Sequence, residues 1–487
     1  MEFVAALRLL DKKPKSGGHM NAATRSGLAP LCALLAALTL APAHAQIQRI
    51  STALDGTQAN HDSYEASLSD DGSVIAFRSS ASNLLAGDVN DLPDVFLRDL
   101  DADTIERVNV DSSGNVLNFT ELYRGSYAPS LSDDGQRVVF TGYRDFAQGL
   151  LRDRLANTTI EVLQISFTAD NTDRQARQES RISGNGQFVV FHSRAGFQSS
   201  EPPSARPVDV GTRDMHSVFL YDAITDPVPM AERLSRPDFS SDIGCIADNG
   251  LECPEGNADS FAASVSDDGR RVAFDSHAGN LVPEDDNDYQ DVFVKFRFDA
   301  GSNYVGIAGP ITRVSVSSLG VQANDDSVEA MISGNGRFVA FRSLASNLIS
   351  GDDNGRWDIY VHDLDTAQTS RVSVASDGTQ SNHDSFSPAL SDDGRYVVFR
   401  SNASNLVADD TNARQDIYVH DRNSGLTARA SLADGGGQSD GHSNAPQISG
   451  DGQWIVFESD ATNLVPADSN QSRDIFRIAN PLFAGGP

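Results

Sequence analysis

The chain has 487 residues, 38 Lys/Arg against 68 Asp/Glu for a net charge of −30, 39 Gly and 3 Cys. That length is too great for one ordinary compact domain unless the chain is a repeat array, whose units bury their cores against one another. A negative field of this size repels phosphate backbones and argues against a nucleic-acid partner. Glycine amid dense Asp, Asn and Ser points to turns and short strands.

Residues 1–45 read as a secretory signal. Met20, a second candidate start, is followed by Arg25 and by an apolar run from Leu28 to Leu40. Ala43-His44-Ala45 then offers a small-x-small cleavage site before Gln46. The run is short for a membrane span, so no transmembrane segment is expected after cleavage, although an uncleaved anchor is the alternative. Leu31 precedes Cys32 where a lipoprotein would carry a small residue. The expected location is the periplasm or the outside of the cell. In that oxidising compartment Cys245 and Cys253 are a candidate disulfide, with two free thiols as the alternative.

From Gln46 the chain repeats. Ser69-Asp70-Asp71-Gly72 is followed five residues after its Gly by Phe77. The same spacing returns at Ser132 to Gly135 with Phe140, Ser183 to Gly186 with Phe191 and Ser266 to Gly269 with Phe274. It continues at Ser333 to Gly336 with Phe341, Ser391 to Gly394 with Phe399 and Ser449 to Gly452 with Phe457. Asp-Gly and Asn-Gly suit tight hairpins because Gly accepts positive φ. The run after each turn, such as Arg395-Tyr396-Val397-Val398-Phe399, is rich in β-formers. Each Phe is expected in a core between units.

A short segment before each turn supplies strand A, and the run after it is strand B. Segments such as Asp358-Ile359-Tyr360-Val361 supply strand C, and Arg371-Val372-Ser373-Val374 supplies strand D. Seven such units predict an all-β, seven-bladed propeller over 46–479, with 480–487 as a tail. Gln48-Arg49-Ile50-Ser51 reads as a D strand with no A, B or C before it, while the last unit stops at strand C, Asp474-Ile475-Phe476. The N-terminal strand is therefore expected to complete the seventh blade and remove an open edge. Units such as SDDGRYVVFRSNASNLVADDTNARQDIYVHDRNSG resemble the TolB-like, WD40-like propeller repeats of exported bacterial proteins. That resemblance implies the fold and leaves the role open, since such propellers serve many roles. The separate N-terminal domain of the Tol component itself has no counterpart in the sequence.

Between strands B and C a second pattern recurs in five units. It places Asp88, Asn90 and Asp94; Asp285, Asn287 and Asp291; Asp352, Asn354 and Asp358; Asp410, Asn412 and Asp416; and Asp468, Asn470 and Asp474. Each set is preceded by an Asn-Leu pair. Hard cations take several oxygen ligands of this kind, which makes Ca²⁺ the candidate cofactor. The same residues also pin turns by accepting from nearby backbone N–H groups, and both readings stand at this level.

In a propeller the B–C loops and the D–A connections share one face. The D–A segments here are polar too, with His61 and His383 among them. Units two and three lack the acidic set and carry enlarged segments. One holds Phe119, Tyr123, Arg124 and Tyr127, a candidate binding rim; another is the insert Gly196–Arg213, and the cysteine-bearing link follows. Binding usually sits on loops held by a rigid scaffold. No His-Glu-x-x-His occurs. The expectation is thus a monomeric, non-enzymatic scaffold for an envelope or extracellular protein or glycan. The alternative is a hydrolase or lyase acting on a carbohydrate or small molecule at the central pocket.

Overall fold

The computed structural model describes residues 47–483 apart from 91, 118–125, 144–146, 165–179, 194–215, 225–231, 237–255 and 298–307. The expected signal segment, Phe119, Tyr123, Arg124, the whole Gly196–Arg213 insert, Cys245 and Cys253 lie outside the described residues.

Seven four-stranded antiparallel sheets follow one another in chain order. Blade 1 contains strands A Ser63–Leu68, B Val74–Ser79, C Asp94–Asp99 and D Thr104–Arg107. Blade 5 contains Ser327–Ile332, Phe338–Ser343, Asp358–Asp363 and Gln368–Arg371, and blade 6 contains Ser385–Leu390, Tyr396–Ser401, Asp416–Asp421 and Leu426–Arg429. Blade 7 has Ser443–Ile448, Trp454–Ser459 and Asp474–Ala479 as A, B and C. Its fourth strand is Gln48–Arg49, which pairs with Arg477 and Phe476. The fold is the expected seven-bladed propeller, closed by its own N-terminus.

The turn motif has a physical reason at each position. In the first copy Ser69 Oγ donates to Asp71 Oδ1 at 2.7 Å and accepts the Val74 N–H, while the Gly72 N–H bonds Ser69 O. Gly is needed twice over. Gly394 has φ +67°, and a Cβ there would stand 2.2 Å from the Phe338 ring of the preceding blade. The A–B turn of one blade therefore presses on the first strand-B residue of its neighbour, a constraint invisible in the local sequence.

All seven repeat Phe residues are buried at 0–1% exposure. Each lies directly opposite a strand-C residue, as Phe399 does opposite Tyr418. The clusters cross blade boundaries. Phe77 and Phe96 of blade 1 pack with Val456 and Ile475 of blade 7, so apolar burial is what joins the blades.

Strand D ends earlier than its sequence suggests, at Arg371 rather than at Val374. The cause is a side chain that takes over the ladder. Ser373 Oγ accepts the Ile359 N–H where a strand-D carbonyl would, and Ser431, Ser315, Asn109 and Ser51 do the same in their blades.

Candidate functional site

The acidic B–C loops are wired to strand D. In each of the five blades the first Asp and the last Asp of the set share one arginine. Arg107 meets Asp88 and Asp94, Arg313 meets Asp285 and Asp291, and Arg371 meets Asp352 and Asp358. Arg429 meets Asp410 and Asp416, and Arg49 on the closing strand meets Asp468 and Asp474. The first contact is 2.8–3.1 Å and the second 3.3–3.6 Å.

The remaining lone pairs are also used. Asn354, Asn412, Asn287, Asn470 and Asn90 each donate to the last Asp of their set. Ser373, Ser431, Ser315, Ser51 and Asn109 bond its inner oxygen. Tyr360 and Tyr418 donate their hydroxyls to Asp352 and Asp410. The place that the spacing offers to calcium is thus held by a guanidinium, and the loop carboxylates serve the scaffold. Burial nevertheless pushes Asp94, Asp358, Asp416 and Asp474 above the usual carboxylate range, and Asp285 up to about 6. Asn83, Asn347 and Asn405 of the Asn-Leu pairs tie these loops to the D–A connections, accepting the N–H of Asn60, Asn324 and Asn382. His61 and His383 are exposed in those connections. Tyr127, the described member of the expected rim, is a buried strand-A residue.

Positions that differ from blade to blade sit at the loop-face end of strands A and B. The residue after the repeat Phe is Arg78, Thr141, His192, Asp275, Arg342, Arg400 and Glu458 in blades 1 to 7. The second residue of strand A is Tyr64, Tyr127, Phe261, Val328, Phe386 and Asn444 in blades 1, 2, 4, 5, 6 and 7. Strand A is the innermost strand, so these positions surround the axis at the loop face, which we call the mouth; Arg78, Arg342 and Arg400 are half-buried there, while Tyr127, Thr141, His192, Asp275 and Glu458 are buried. Arg78 and Arg473 lie 5.7 and 5.3 Å from the Tyr64 ring. Arg342 lies 4.4 Å from Trp357 and 5.1 Å from Phe386, and Arg400 lies 5.0 Å from the same Phe386. His192 and His216 stand together against Phe261.

Strand A is bulged here, with Glu65, Glu329 and Ser387 at φ of 56°, 59° and 51°. Carboxylates of the preceding blade accept the bulge N–H groups. Glu458 takes that of Glu65, Glu65 that of Ala128, Asp275 that of Glu329, and Glu329 that of Ser387. Enclosure pushes Asp275 up to about 7.

A second cluster lies on the axis at the opposite, A–B turn, end. Seven backbone bonds of 2.9–3.2 Å link the turns in a closed ring, from Asp70 N–H to Asp133 O, onward through Gly184, Asp267, Gly334, Asp392 and Gly450, and back to Asp70 O. The second turn residue is Asp70, Asp133, Gly184, Asp267, Gly334, Asp392 and Gly450. The glycines make room for the carboxylates. A Cβ on Gly450 would stand 2.3 Å from both Asp392 and Asp70 oxygens. Oxygens of Asp133, Asp267 and Asp392 lie within 4.8 Å of one another, a geometry that could hold a metal ion. Burial first and mutual repulsion second push Asp133 up to about 7, Asp267 to about 6 and Asp392 to about 8.

Fold and site together define a closed seven-bladed propeller with a loop-face mouth and an acidic axis. No family model and no curated protein matches the chain. Solved structures share the architecture at a distance. TolB from Acinetobacter baumannii is 16% identical, with 63% of this chain and 53% of that chain covered and a TM-score of 0.33. An oligogalacturonate lyase in complex with manganese is 14% identical over 91% and 95%, with a TM-score of 0.48. The acylaminoacyl peptidase of Pyrococcus horikoshii is 10% identical over 82% and 49%, with a TM-score of 0.45. The chain thus spans about half the length of the TolB and peptidase structures. Likenesses this distant carry no argument about role; the propeller rests on the chain's own seven sheets.

Proposed function

We propose that this chain is an exported, non-enzymatic binding scaffold that engages an envelope or extracellular ligand at its loop-face mouth. One observation carries the reading. The seven repeats agree at turn, core and ladder positions and diverge at the positions framing the mouth. The chain's own repeats thus separate what the scaffold requires from what it leaves free, and the free positions hold Arg, His, Asp, Glu and aromatic residues. Glu65, Glu329, Asp275 and Glu458 are each engaged by backbone N–H groups, which suits a preformed recognition surface better than proton transfer. The test is a pull-down from envelope extract with the wild-type chain and a Trp357→Ala/Phe386→Ala variant. Equal capture by both would overturn the reading.

A second reading, turnover of a carbohydrate or small molecule, rests on Asp275, a carboxyl that burial brings to about 7 at the loop-face end of blade 4. Turnover abolished in Asp275→Asn, with folding retained, would favour it over the first.

A further inference from the structure

Among the mouth residues, the junction of blades 5, 6 and 7 has an imbalance of charge and of hydrogen-bonding capacity. Arg342 and Arg400 both lie against Phe386. Arg342 has a carboxylate partner, Glu329, at 3.3 Å. Arg400 has no carboxylate within 4 Å among the described residues. Its guanidinium instead donates to two neutral oxygens, Asn444 Oδ1 at 2.8 Å and Gln415 Oε1 at 3.3 Å. In a chain with a net charge of −30, this half-buried arginine is contacted by amides alone, with Glu329 and Glu458 acting on it only from farther off.

The amides sharpen the point. Each has turned its oxygen to Arg400, so its NH₂ group remains, and neither NH₂ makes a hydrogen bond within the protein among the described residues. Guanidinium and amide NH₂ groups are donors only. The junction thus concentrates donors beside a positive charge that no carboxylate contacts directly, and the component that fits it is a set of acceptor oxygens carrying one negative charge. Burial, with Arg342 adding to it and Glu329 and Glu458 opposing it, holds Arg400 below the ordinary arginine range. A bound anion would relieve that cost.

We propose that Arg400, Gln415 and Asn444 form an anion subsite at the mouth that binds a carboxylate, with Phe386 as its apolar wall. A carboxylate fits better than a phosphate. One positive charge lies there, and Glu329 and Glu458 nearby disfavour a dianion. The carboxylate belongs either to a free organic acid or to an acidic sugar. The inference rests on the mouth being the binding surface.

The test is calorimetric titration of the full chain with sodium succinate, sodium D-glucuronate, glucose and inorganic phosphate. Saturable binding of a carboxylate is expected, with glucose inert and phosphate weaker. Preference for glucuronate assigns the acidic-sugar source, and preference for succinate the free acid. Arg400→Gln should weaken binding by about 10- to 100-fold, the worth of a charge-assisted contact, and Arg400→Lys should restore part of it. Arg270→Gln, at the exposed A–B turn of blade 4 on the opposite face, should leave binding unchanged and controls for the change in net charge. Circular dichroism verifies folding of each variant. Binding of neither acid, or equal binding by a folded Arg400→Gln, would overturn the subsite. Partner capture lost in the Trp357/Phe386 variant but unaffected by acids would overturn the subsite while sparing the binding surface.

Discussion

The same residue type is treated in opposite ways at the two ends of this propeller. On the loop face, paired aspartates of five blades each share an arginine from strand D. On the axis, Asp70, Asp133, Asp267 and Asp392 have no arginine, lysine or histidine within 4 Å among the described residues. Burial and crowding instead raise their proton affinity, with Asp392 donating to Asp70. A buried carboxylate with its own cation is a fixed strut, whereas a group of them without one is sensitive to pH.

The strongest way to break this contrast is to remove a strut's cation. Arg429→Met leaves Asp410 and Asp416 buried without compensation, and a loss of about 3–5 kcal/mol is expected by urea denaturation. A loss below about 1 kcal/mol would mean that the triad behaves as a solvated surface pair. On the axis, Gly334→Ala would place a Cβ 2.2 Å from Asp267 and 2.5 Å from Asp392. Displacing those carboxylates should cost about 1–3 kcal/mol, more at pH 4, where they are protonated, than at pH 8, where displacement relieves their repulsion. An equal cost at both pH values would show that the carboxylates do not govern the site. Ser373→Ala removes the hydroxyl that ends strand D and should cost about 1 kcal/mol; if melting is unchanged, the ladder substitution has no energetic weight.

The smallest effect carries the clearest sign. The axial carboxyls hold protons in the folded chain up to about pH 6–8, but in the unfolded chain only up to about 4. Their contribution is therefore fully present below pH 4 and is lost as pH rises through 8. Asp392→Asn should be more stable than wild type at pH 8, with the difference vanishing toward pH 4. Scanning calorimetry across that range checks it, and parallel curves would refute the linkage.

The arginine struts were within reach of the sequence. Arg107, Arg313, Arg371, Arg429 and Arg49 begin or end short D segments in the same five units that carry the acidic loops. That co-occurrence was a legible signal, but pairing depends on the antiparallel register that sets Arg371 opposite Tyr360. The axial cluster was harder to see. Asp and Gly alternate irregularly at the second turn position, and either suits the turn, so nothing local distinguishes them. The mouth was hidden for a related reason, because a period-2 strand does not show which of its faces meets the axis.

What the sequence determined by itself is what local chemistry can encode. The turn motif, the Phe five residues on and an orphan D strand at the start were enough for seven blades and their closure, because hairpin geometry and strand alternation act over a few residues. What only the tertiary structure decided is which charges meet. Strand pairing and radial packing bring residues from 13 to 425 positions apart within bonding distance, as Arg429 and Asp416 are within one blade and Arg49 and Asp474 are across the closure. They make struts of the acidic loops, an uncompensated carboxylate ring of the turns, and of Arg400 a cation that no carboxylate contacts directly.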